Sequence, residues 1–366
     1  IAYIQFDDSP VSEVQRNEIY PDRIEMVSQR YPYTGENNVT LKLGIVTLID
    51  QKTNWLDLGQ ETDIYLPRIQ WGSTSNQLTY QWQSRDQQQL ELRSYNRKTG
   101  KTKVLAKEES KTWINLHDDL RFLEDGSFLW SSERSGFKHI YHIKNGTAKA
   151  LTSGEWQVHQ IESVDEENGH LYFTGWVTTP IERHLYRVPL DGGAITDAEQ
   201  LTQVTRRNGW HGITFSDDSS YYFDHYSSIR QPTQISLHKS DGSLLEYLLE
   251  NKLGEEHPLF PYLKDWVSPA FGTLPARDGT QLYYRYYRPN TEMPKGGYPV
   301  IVSLYGGPHV GQQVRNAWSS HNLWAQYLLE KGYVVFTLDN RGTPNRGKKF
   351  EDVIYKKLAQ NELYDQ

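Results

Sequence analysis

The chain has 366 residues, contains no cysteine, and carries 46 acidic against 39 basic residues, for a net charge of -7. This balance provides no basic stripe for nucleic acid, and the absence of cysteine excludes disulfides, thiolate metal ligands and cysteine nucleophiles. No apolar run reaches the roughly 18 residues that a membrane helix needs. A chain without cysteine suits an oxidising and a reducing compartment equally. We favour a periplasmic or secreted bacterial location and leave a cytoplasmic one open.

Glycine-bearing hairpin turns recur through the first two thirds of the chain. Gly100, Gly146, Gly192 and Gly242 follow one another at intervals of 46, 46 and 50 residues. A period of this length is typical of β-propellers, in which each repeat forms a sheet of about four short strands. The sequence therefore predicts about five four-stranded blades over residues 1–265, as an incomplete β-propeller.

The beginning of the chain departs from this repeat in two ways. The first predicted strand, Ile1 to Phe6, has no turn before it, so we expect further sequence upstream in the natural protein. Between Ser12 and Asn38 the alternation of apolar and polar residues breaks down. This segment predicts either an excursion from the rim of the propeller or a plain long loop.

A different pattern occupies residues 266–366, after a proline-rich linker. Pro299 to Leu304 and Val334 to Leu338 are continuous apolar runs bounded by glycines, as is typical of strands buried on both faces. His321 to Lys331 predicts the helix that joins them, and strand, helix and strand together indicate a parallel α/β sheet. A second amphipathic helix is predicted over Lys348 to Asn361.

The first of these strands runs into the turn Tyr305-Gly306-Gly307-Pro308. A glycine-rich turn at this edge of a sheet is what α/β-hydrolases use to build an oxyanion hole. The nucleophile that would accompany it is missing, because no G-x-S-x-G motif occurs in the chain. Ser73, Ser135 and Ser153 adjoin glycines but lack the strand-turn-helix context of a catalytic serine. No metal site is predicted, since His257 follows two glutamates without the spacing of a zinc motif.

Several motifs together resemble the prolyl oligopeptidase family, and in particular its dipeptidyl peptidase IV branch. In the α/β part they are Val302-Ser303-Leu304-Tyr305-Gly306-Gly307-Pro308-His309, Leu338-Asp339-Asn340-Arg341-Gly342 and Arg346-Gly347. In the repeats they are the phrases Ser131 to Tyr141 and Glu182 to Tyr186. The resemblance spans nearly the whole chain and implies a propeller followed by the beginning of an α/β-hydrolase domain.

The resemblance also implies a function. The chain would be a segment of a serine dipeptidyl peptidase that releases N-terminal dipeptides, preferably after proline, by Ser-His-Asp acyl transfer without a cofactor. Tyr305 would donate its hydroxyl to the oxyanion, and Arg341 would support its own loop. The catalytic triad would lie beyond Gln366, so the chain alone is expected to be inactive.

Substrate recognition is implied by the same resemblance. Substrates would be peptides with a free N-terminus, held by a pair of glutamates upstream of Ile1, and the parent protein would be a homodimer. The segment Trp113 to Asp119 resembles a substrate-side propeller loop, although it departs from the mammalian pattern of aromatic and arginine side chains. His117 and Asp118 are therefore candidate substrate contacts, with a solvated loop as the alternative.

Two other functions fit the same sequence. The chain could belong to a non-catalytic protein whose propeller and hydrolase-like part serve binding or scaffolding, because such a protein also lacks a nucleophile here. An acylaminoacyl or oligopeptide-cleaving relative is the third hypothesis. A G-x-S-x-G motif shortly beyond Gln366 and a glutamate pair before Ile1 would favour the dipeptidyl peptidase.

Overall fold

The computed structural model describes residues 1–72, 74–193, 195, 198–307 and 311–366. Ser73, Pro308 and His309, which the sequence motifs include, lie outside these residues. By its contacts the chain divides into two compact units, Ile1–Leu116 and His117–Gln366, which are described separately below. The division at residue 265 that the repeat pattern predicts is a division by type of fold, and it stays a prediction.

The first unit consists of antiparallel strands. They are β1 (Ala2–Asp7), β2 (Glu13–Ile19), β3 (Ile24–Arg30), β4 (Thr40–Val46), β5 (Thr53–Trp55), β6 (Ile64–Tyr65), β7 (Ile69–Trp71), β8 (Gln77–Ser84), β9 (Gln89–Asn96) and β10 (Lys101–Glu109). One sheet has the order β1-β4-β5, and a second has the order β10-β9-β8-β6 with β7 also paired to β8. Apolar side chains from both sheets, such as Leu43 and Tyr80, form one core cluster.

The remaining strands of this unit, β2 and β3, pair only with each other and form a hairpin between β1 and β4. The predicted excursion over residues 12–38 therefore takes the form of a β-hairpin. Three of its apolar side chains are exposed, Ile19 at 79%, Ile24 at 66% and Met26 at 67%.

The second unit begins with three four-stranded sheets. Their strands are β11 (Arg121–Phe122), β12 (Phe128–Ser132), β13 (His139–Lys144), β14 (Thr147–Ala150), β15 (Gln157–Asp165), β16 (His170–Trp176), β17 (His184–Pro189), β18 (Thr202–Gln203), β19 (Trp210–Phe215), β20 (Tyr221–Ser228), β21 (Gln231–Lys239) and β22 (Leu244–Leu249). Each sheet takes four consecutive strands in chain order, and every neighbouring pair is antiparallel. This is the sequential meander that a propeller blade requires.

The four turn glycines occupy equivalent places in their own sheets, as the spacing predicts. Gly100, Gly146, Gly192 and Gly242 each lie between the last two strands of a sheet. Three of them have left-handed backbone, with φ of +68°, +79° and +95° at Gly100, Gly146 and Gly242. Glycine is favoured there because a Cβ disfavours positive φ.

Consecutive sheets of the second unit pack face to face through apolar side chains. Leu129 and Ile140 of one sheet join Leu171 and Phe173 of the next in one core cluster. Tyr172, on the opposite face of β16, joins a second cluster with the sheet that follows. The middle sheet is thus buried on both faces, which explains its long aromatic strands.

The second unit ends in a mixed sheet with short helices. Its elements are β23 (Ala270–Pro275), β24 (Gln281–Tyr287), β25 (Val300–Val302), α1 (Leu323–Glu330), β26 (Val334–Leu338), α2 (Lys348–Glu351) and α3 (Asn361–Asp365). The order is β23-β24-β26-β25, with the last pair parallel, as the strand-helix-strand pattern predicts. Asn322 caps α1 by accepting from the N–H of Trp324, and Gly332 follows with a φ of +83°. Within the described residues, no helix has the length and apolar character needed to cross a bilayer.

Two predictions for this region are wrong. Strand β25 is not buried on both faces: it is an edge strand, and Val300 and Val302 are 56% and 48% exposed. A single helix over Lys348 to Asn361 does not form, because Lys356 and Ala359 take left-handed backbone with φ of +54° and +64°. The chain instead leaves α2 through a short 3-10 turn and starts α3 afresh at Asn361.

Candidate active site

The turn that follows β25 presents Tyr305 at the edge of the mixed sheet. The ladder continues past the strand, because the N–H of Ser303 donates to the carbonyl of Phe336 at 2.8 Å. Gly306 then turns the chain with a φ of +77°, a conformation that side chains other than glycine rarely adopt. Tyr305 is 51% exposed, so its ring and hydroxyl face outward from a fixed strand end.

The Tyr305 ring packs against the backbone of Gly307. A Cβ built on Gly307 would stand 2.6 Å from Cε1 of Tyr305 and 3.3 Å from its hydroxyl oxygen. The ring therefore packs directly against backbone, and no larger residue fits beneath it without displacing it. Both positions of the turn thus favour glycine for a steric reason. At Gly306 the reason is the backbone conformation, and at Gly307 it is the contact with the Tyr305 ring.

Arg341, three residues beyond β26, supports its own loop, as the family resemblance implies. Its guanidinium binds Asp365 through Nη2 at 2.7 Å and Nε at 2.9 Å, and Asp278 through Nη1 at 2.7 Å. The hydrogen bonds and charges of these carboxylates raise the pKa of Arg341. Asp278 belongs to the β23–β24 turn and Asp365 to α3, so the guanidinium of Arg341 links these two elements.

Several charged groups are buried near the end of β26. Asp339, which directly follows this strand, is only 4% exposed, and burial raises its pKa. Its charge interacts with three arginines, Arg285, Arg315 and Arg346. Burial lowers the pKa of all three arginines. One carboxylate therefore lies among three partly desolvated cations, of which Arg285 belongs to the mixed sheet.

The predicted contact residues His117 and Asp118 differ in exposure. The side chain of His117 is 8% exposed, lies 4.3 Å from Trp130 between ring centroids, and accepts the N–H of Asp119 on Nδ1. Burial, and then the nearby Lys138 ammonium, lower the pKa of His117 to about 4, so the ring is neutral near pH 7. Asp118 is exposed beside it, and its carbonyl accepts from Arg121.

Asp119, the next residue, is a buried anchor that the sequence analysis did not single out. It is 1% exposed and binds Nζ of Lys138 at 2.9 Å, the hydroxyl of Ser131 at 2.7 Å and the N–H of Ile161 at 2.8 Å. The ammonium and the hydrogen bonds outweigh burial and lower its pKa. A doubled aspartate after a histidine is the sequence signal that could have found it.

Among the described residues, two serine–histidine hydrogen bonds stand out, and neither belongs to a catalytic triad. Ser127 accepts or donates at 2.7 Å to Nε2 of His142, but Asp125 bonds the serine rather than the histidine, and Ser127 is 3% exposed. Ser236 lies 2.9 Å from Nε2 of His238 and is likewise buried. The first pair is a contact across a hairpin, and the second lies within the single strand β21.

Comparison with known proteins places the chain in one family. Residues 1–233 match the family described as dipeptidyl peptidase IV (DPP IV) N-terminal region, and residues 318–366 match the prolyl oligopeptidase family. The chain therefore belongs to the dipeptidyl peptidase IV branch of the prolyl oligopeptidase family.

Similar proteins agree with this assignment. Dipeptidyl peptidase 8 of Homo sapiens is 29% identical over 72% of the chain and 33% of its own length. A probable dipeptidyl peptidase 4 of Aspergillus flavus is 26% identical over 100% of the chain and 49% of its own length. The crystal structure of Porphyromonas gingivalis dipeptidyl peptidase 4 superposes with a TM-score of 0.86 at 28% identity, over 98% of this chain and 50% of that one. The chain thus spans about half the length of these full-length relatives, or less.

Proposed function

We propose that this chain is a segment of a serine dipeptidyl peptidase that releases N-terminal dipeptides, preferably after proline. The observation that carries the proposal is the Tyr305 turn, in which an exposed phenol is seated on Gly307 at the end of a strand. Membership of the dipeptidyl peptidase IV branch supports the same activity. The serine, aspartate and histidine of the parent enzyme would act together with this donor.

Tyr305 acts in this proposal as the oxyanion donor. A phenol suits the role because it is neutral at pH 7 and donates one hydrogen bond from a rigid ring. The donor is effective because it is already in place before charge develops on the substrate oxygen. The seat on Gly307 supplies this preorganisation without any rearrangement of the loop.

The five sheets of residues 1–265 are, in our proposal, propeller blades, and residues 266–366 begin the hydrolase domain. Support comes from the shared position of the four turn glycines and from the antiparallel meander of the three four-stranded sheets in the second unit. The first sheet has three strands and the second five, so the match to four strands is closest in the three sheets of the second unit.

Two further parts of the proposal concern partners. We keep His117 and Asp118 as contacts of the peptide, with Asp118 the more direct one because it is exposed and His117 is buried. We also propose that the parent protein is a homodimer. The exposed apolar side chains Ile19, Ile24 and Met26 of the β2–β3 hairpin support an interface there.

The activity is tested with the parent protein and a pair of matched substrates. Gly-Pro arylamide has a free amine, and its N-acetylated form does not. A dipeptidyl peptidase cleaves the first and not the second, whereas an acylaminoacyl peptidase prefers the blocked form. Cleavage of the free-amine substrate that a serine-directed inhibitor stops would support the proposal, and the absence of turnover on both substrates would favour a scaffold.

The same assay on the 366-residue chain alone is the control. We expect no turnover, because an oxyanion donor without a nucleophile and base gives only residual catalysis. Turnover that scales with the purified chain and is stopped by the serine-directed inhibitor would show that a nucleophile lies within it.

A further inference from the structure

Residues 311–321, here called the strap, follow the Tyr305 turn and are held by the end of β26. The carboxylate of Asp339 accepts two consecutive backbone N–H groups of the strap, from Gln313 on Oδ1 at 2.8 Å and from Val314 on Oδ2 at 3.0 Å. Asp339 is itself fixed in the sheet, because its N–H donates to the carbonyl of Tyr283 at 3.0 Å. Both carboxylate oxygens are thus used to hold backbone.

Asn340, the next residue, contacts the other side of the turn. It is 2% exposed, and its Nδ2 lies 3.4 Å from the carbonyl of Gly306 and 2.8 Å from that of Arg341. Its Oδ1 accepts from Nε2 of Gln366 at 2.9 Å. Two adjacent side chains after one strand therefore reach the backbone of the turn, at Gly306, and the backbone of the strap.

The far side of the strap is bound to the sheets of the same unit. Asn316 donates from its N–H to the carbonyl of Ile181 at 2.8 Å and from Nδ2 to Glu182 at 2.7 Å. Its Oδ1 accepts the N–H of Ile229 at 3.1 Å, and His321 donates from Nε2 to the carbonyl of the same residue at 2.7 Å. The strap is therefore fixed on one side to the blade-like sheets and on the other to Asp339.

We propose that Asp339, assisted by Asn340, is a positioning residue for the oxyanion donor: it fixes the strap and thereby the turn on which Tyr305 stands. This inference rests on the proposed function, because it assigns Asp339 to the same site. Asp339 touches no reacting atom in this scheme. It acts through Tyr305, so its removal should matter only where the hydroxyl of Tyr305 matters.

The first test measures the strap without reference to activity. In the parent protein, Asp339→Asn keeps the shape of the side chain but replaces one accepting oxygen by an N–H donor. We expect amide hydrogen exchange in residues 311–321 to become at least about 10-fold faster, since one of the two N–H groups loses its acceptor and the other keeps only a weaker, uncharged one. Asp265→Asn, the same change at an exposed carboxylate, should leave the strap unchanged. Unaltered exchange in Asp339→Asn would overturn the inference.

The second test is a double-mutant cycle on Gly-Pro arylamide, with rates normalised to titrated active sites. Asp339→Asn should lower kcat by about 10- to 100-fold with KM changed less than about 2-fold, because a displaced donor weakens only transition-state binding. In a Tyr305→Phe background the same substitution should cost less than about 3-fold. Effects that multiply in the double variant would overturn the inference.

Two further comparisons distinguish a failure of the positioning role from a failure of the oxyanion assignment. If Asp339→Asn does not fold, Asn340→Ala tests the same scheme, with a fall in kcat that again should vanish in the Tyr305→Phe background. Impaired Tyr305→Phe together with unimpaired Asp339→Asn would overturn the positioning role and leave the proposed function standing. If the parent protein cleaves Gly-Pro arylamide and its Tyr305→Phe variant does so with the same kcat, Tyr305 is not the oxyanion donor. That result would overturn the positioning role of Asp339 as well.

Discussion

Strands β16 and β25 both carry consecutive apolar residues, but their environments differ. Leu171, Tyr172 and Phe173 of β16 are at most 1% exposed, because a sheet lies against each face of the strand. Val300 and Val302 of β25 are about half exposed, and on its outer side no strand in the described part of the chain is paired with it. An apolar run thus shows that a strand is suited to burial, while its neighbours decide whether it is buried.

The difference separates two kinds of structural support. In the repeats, the strands that cover β16 come from the adjacent sequence, so local order is enough to bury it. In the mixed sheet, β26 is the one strand paired with β25 among the described residues, and the residues after β25 are ordered by contacts across 25 residues or more, such as Asp339 with Val314. Stability should therefore be concentrated in the repeats, and function should be sensitive to the less covered sheet.

The largest expected effect is on stability at the centre of a repeat. Phe173 is 0% exposed and stacks between Trp156 and Tyr186 at centroid distances of 5.9 and 5.6 Å. Phe173→Ala should lower the free energy of unfolding by about 3–5 kcal/mol, through lost burial and the cavity left behind. Denaturant titration followed by tryptophan fluorescence measures the change.

Val302→Ala is the matched truncation in β25. It should cost less than about 1 kcal/mol, because roughly half of the side chain is already in solvent. An equal loss in the two variants would show that β25 is covered in solution, and the contrast between the strands would fail.

A large catalytic effect is expected at Tyr305, three residues beyond the end of β25. In the parent enzyme, Tyr305→Phe should lower kcat by roughly 100- to 1000-fold with little change in KM, the usual cost of deleting one oxyanion donor. Tyr327→Phe removes a hydroxyl of similar exposure, 55% against 51%, from the outer face of α1 and should be silent. A rise in KM at constant kcat would make Tyr305 a binding residue, and no change in either would make it structural.

A pH dependence of the free energy of unfolding should come from a buried side chain of the second unit, His117. The pKa of His117 is about 4 in the folded chain against an ordinary value of 6.5. Protonation therefore favours the unfolded chain, and stability present above pH 6.5 is lost as the pH falls towards 4. Between pH 7 and pH 5 this residue alone should remove about 2 kcal/mol.

Substitution isolates this contribution. The loss of unfolding free energy between the two pH values should shrink in His117→Gln, whereas His225→Gln, at an exposed position of β20, should retain the full loss. If His117→Gln showed the same acid sensitivity as the unaltered chain, the burial of His117 would not be its source.

The repeats were predictable from sequence to a degree that the mixed sheet was not. Gly100, Gly146, Gly192 and Gly242 lie between the last two strands of their sheets, as the spacing predicts, because turns of this kind are marked by the local sequence. The burial of β25 was predicted wrongly, since it depends on what lies beside the strand. Tyr305 could be proposed from its motif, but the role of Asp339 could not, because its partners Gln313 and Val314 are brought to it only by the sheet order.

The smallest predicted effect tests the seat of Tyr305 itself. Gly307→Ala places a methyl group 2.6 Å from Cε1 of the tyrosine ring, closer than side-chain carbons approach one another, so the ring must move. The hydroxyl is retained but displaced, and we expect kcat in the parent enzyme to fall by about 10-fold, less than for Tyr305→Phe. Gly254→Ala is the control, because no atom lies within 4 Å of a Cβ at that position. The decisive comparison is the double variant: if Gly307→Ala acts through the ring, it should add little to Tyr305→Phe. A full 10-fold loss in that background would mean that the glycine serves the backbone of the turn, and that the phenol tolerates a shift of its seat.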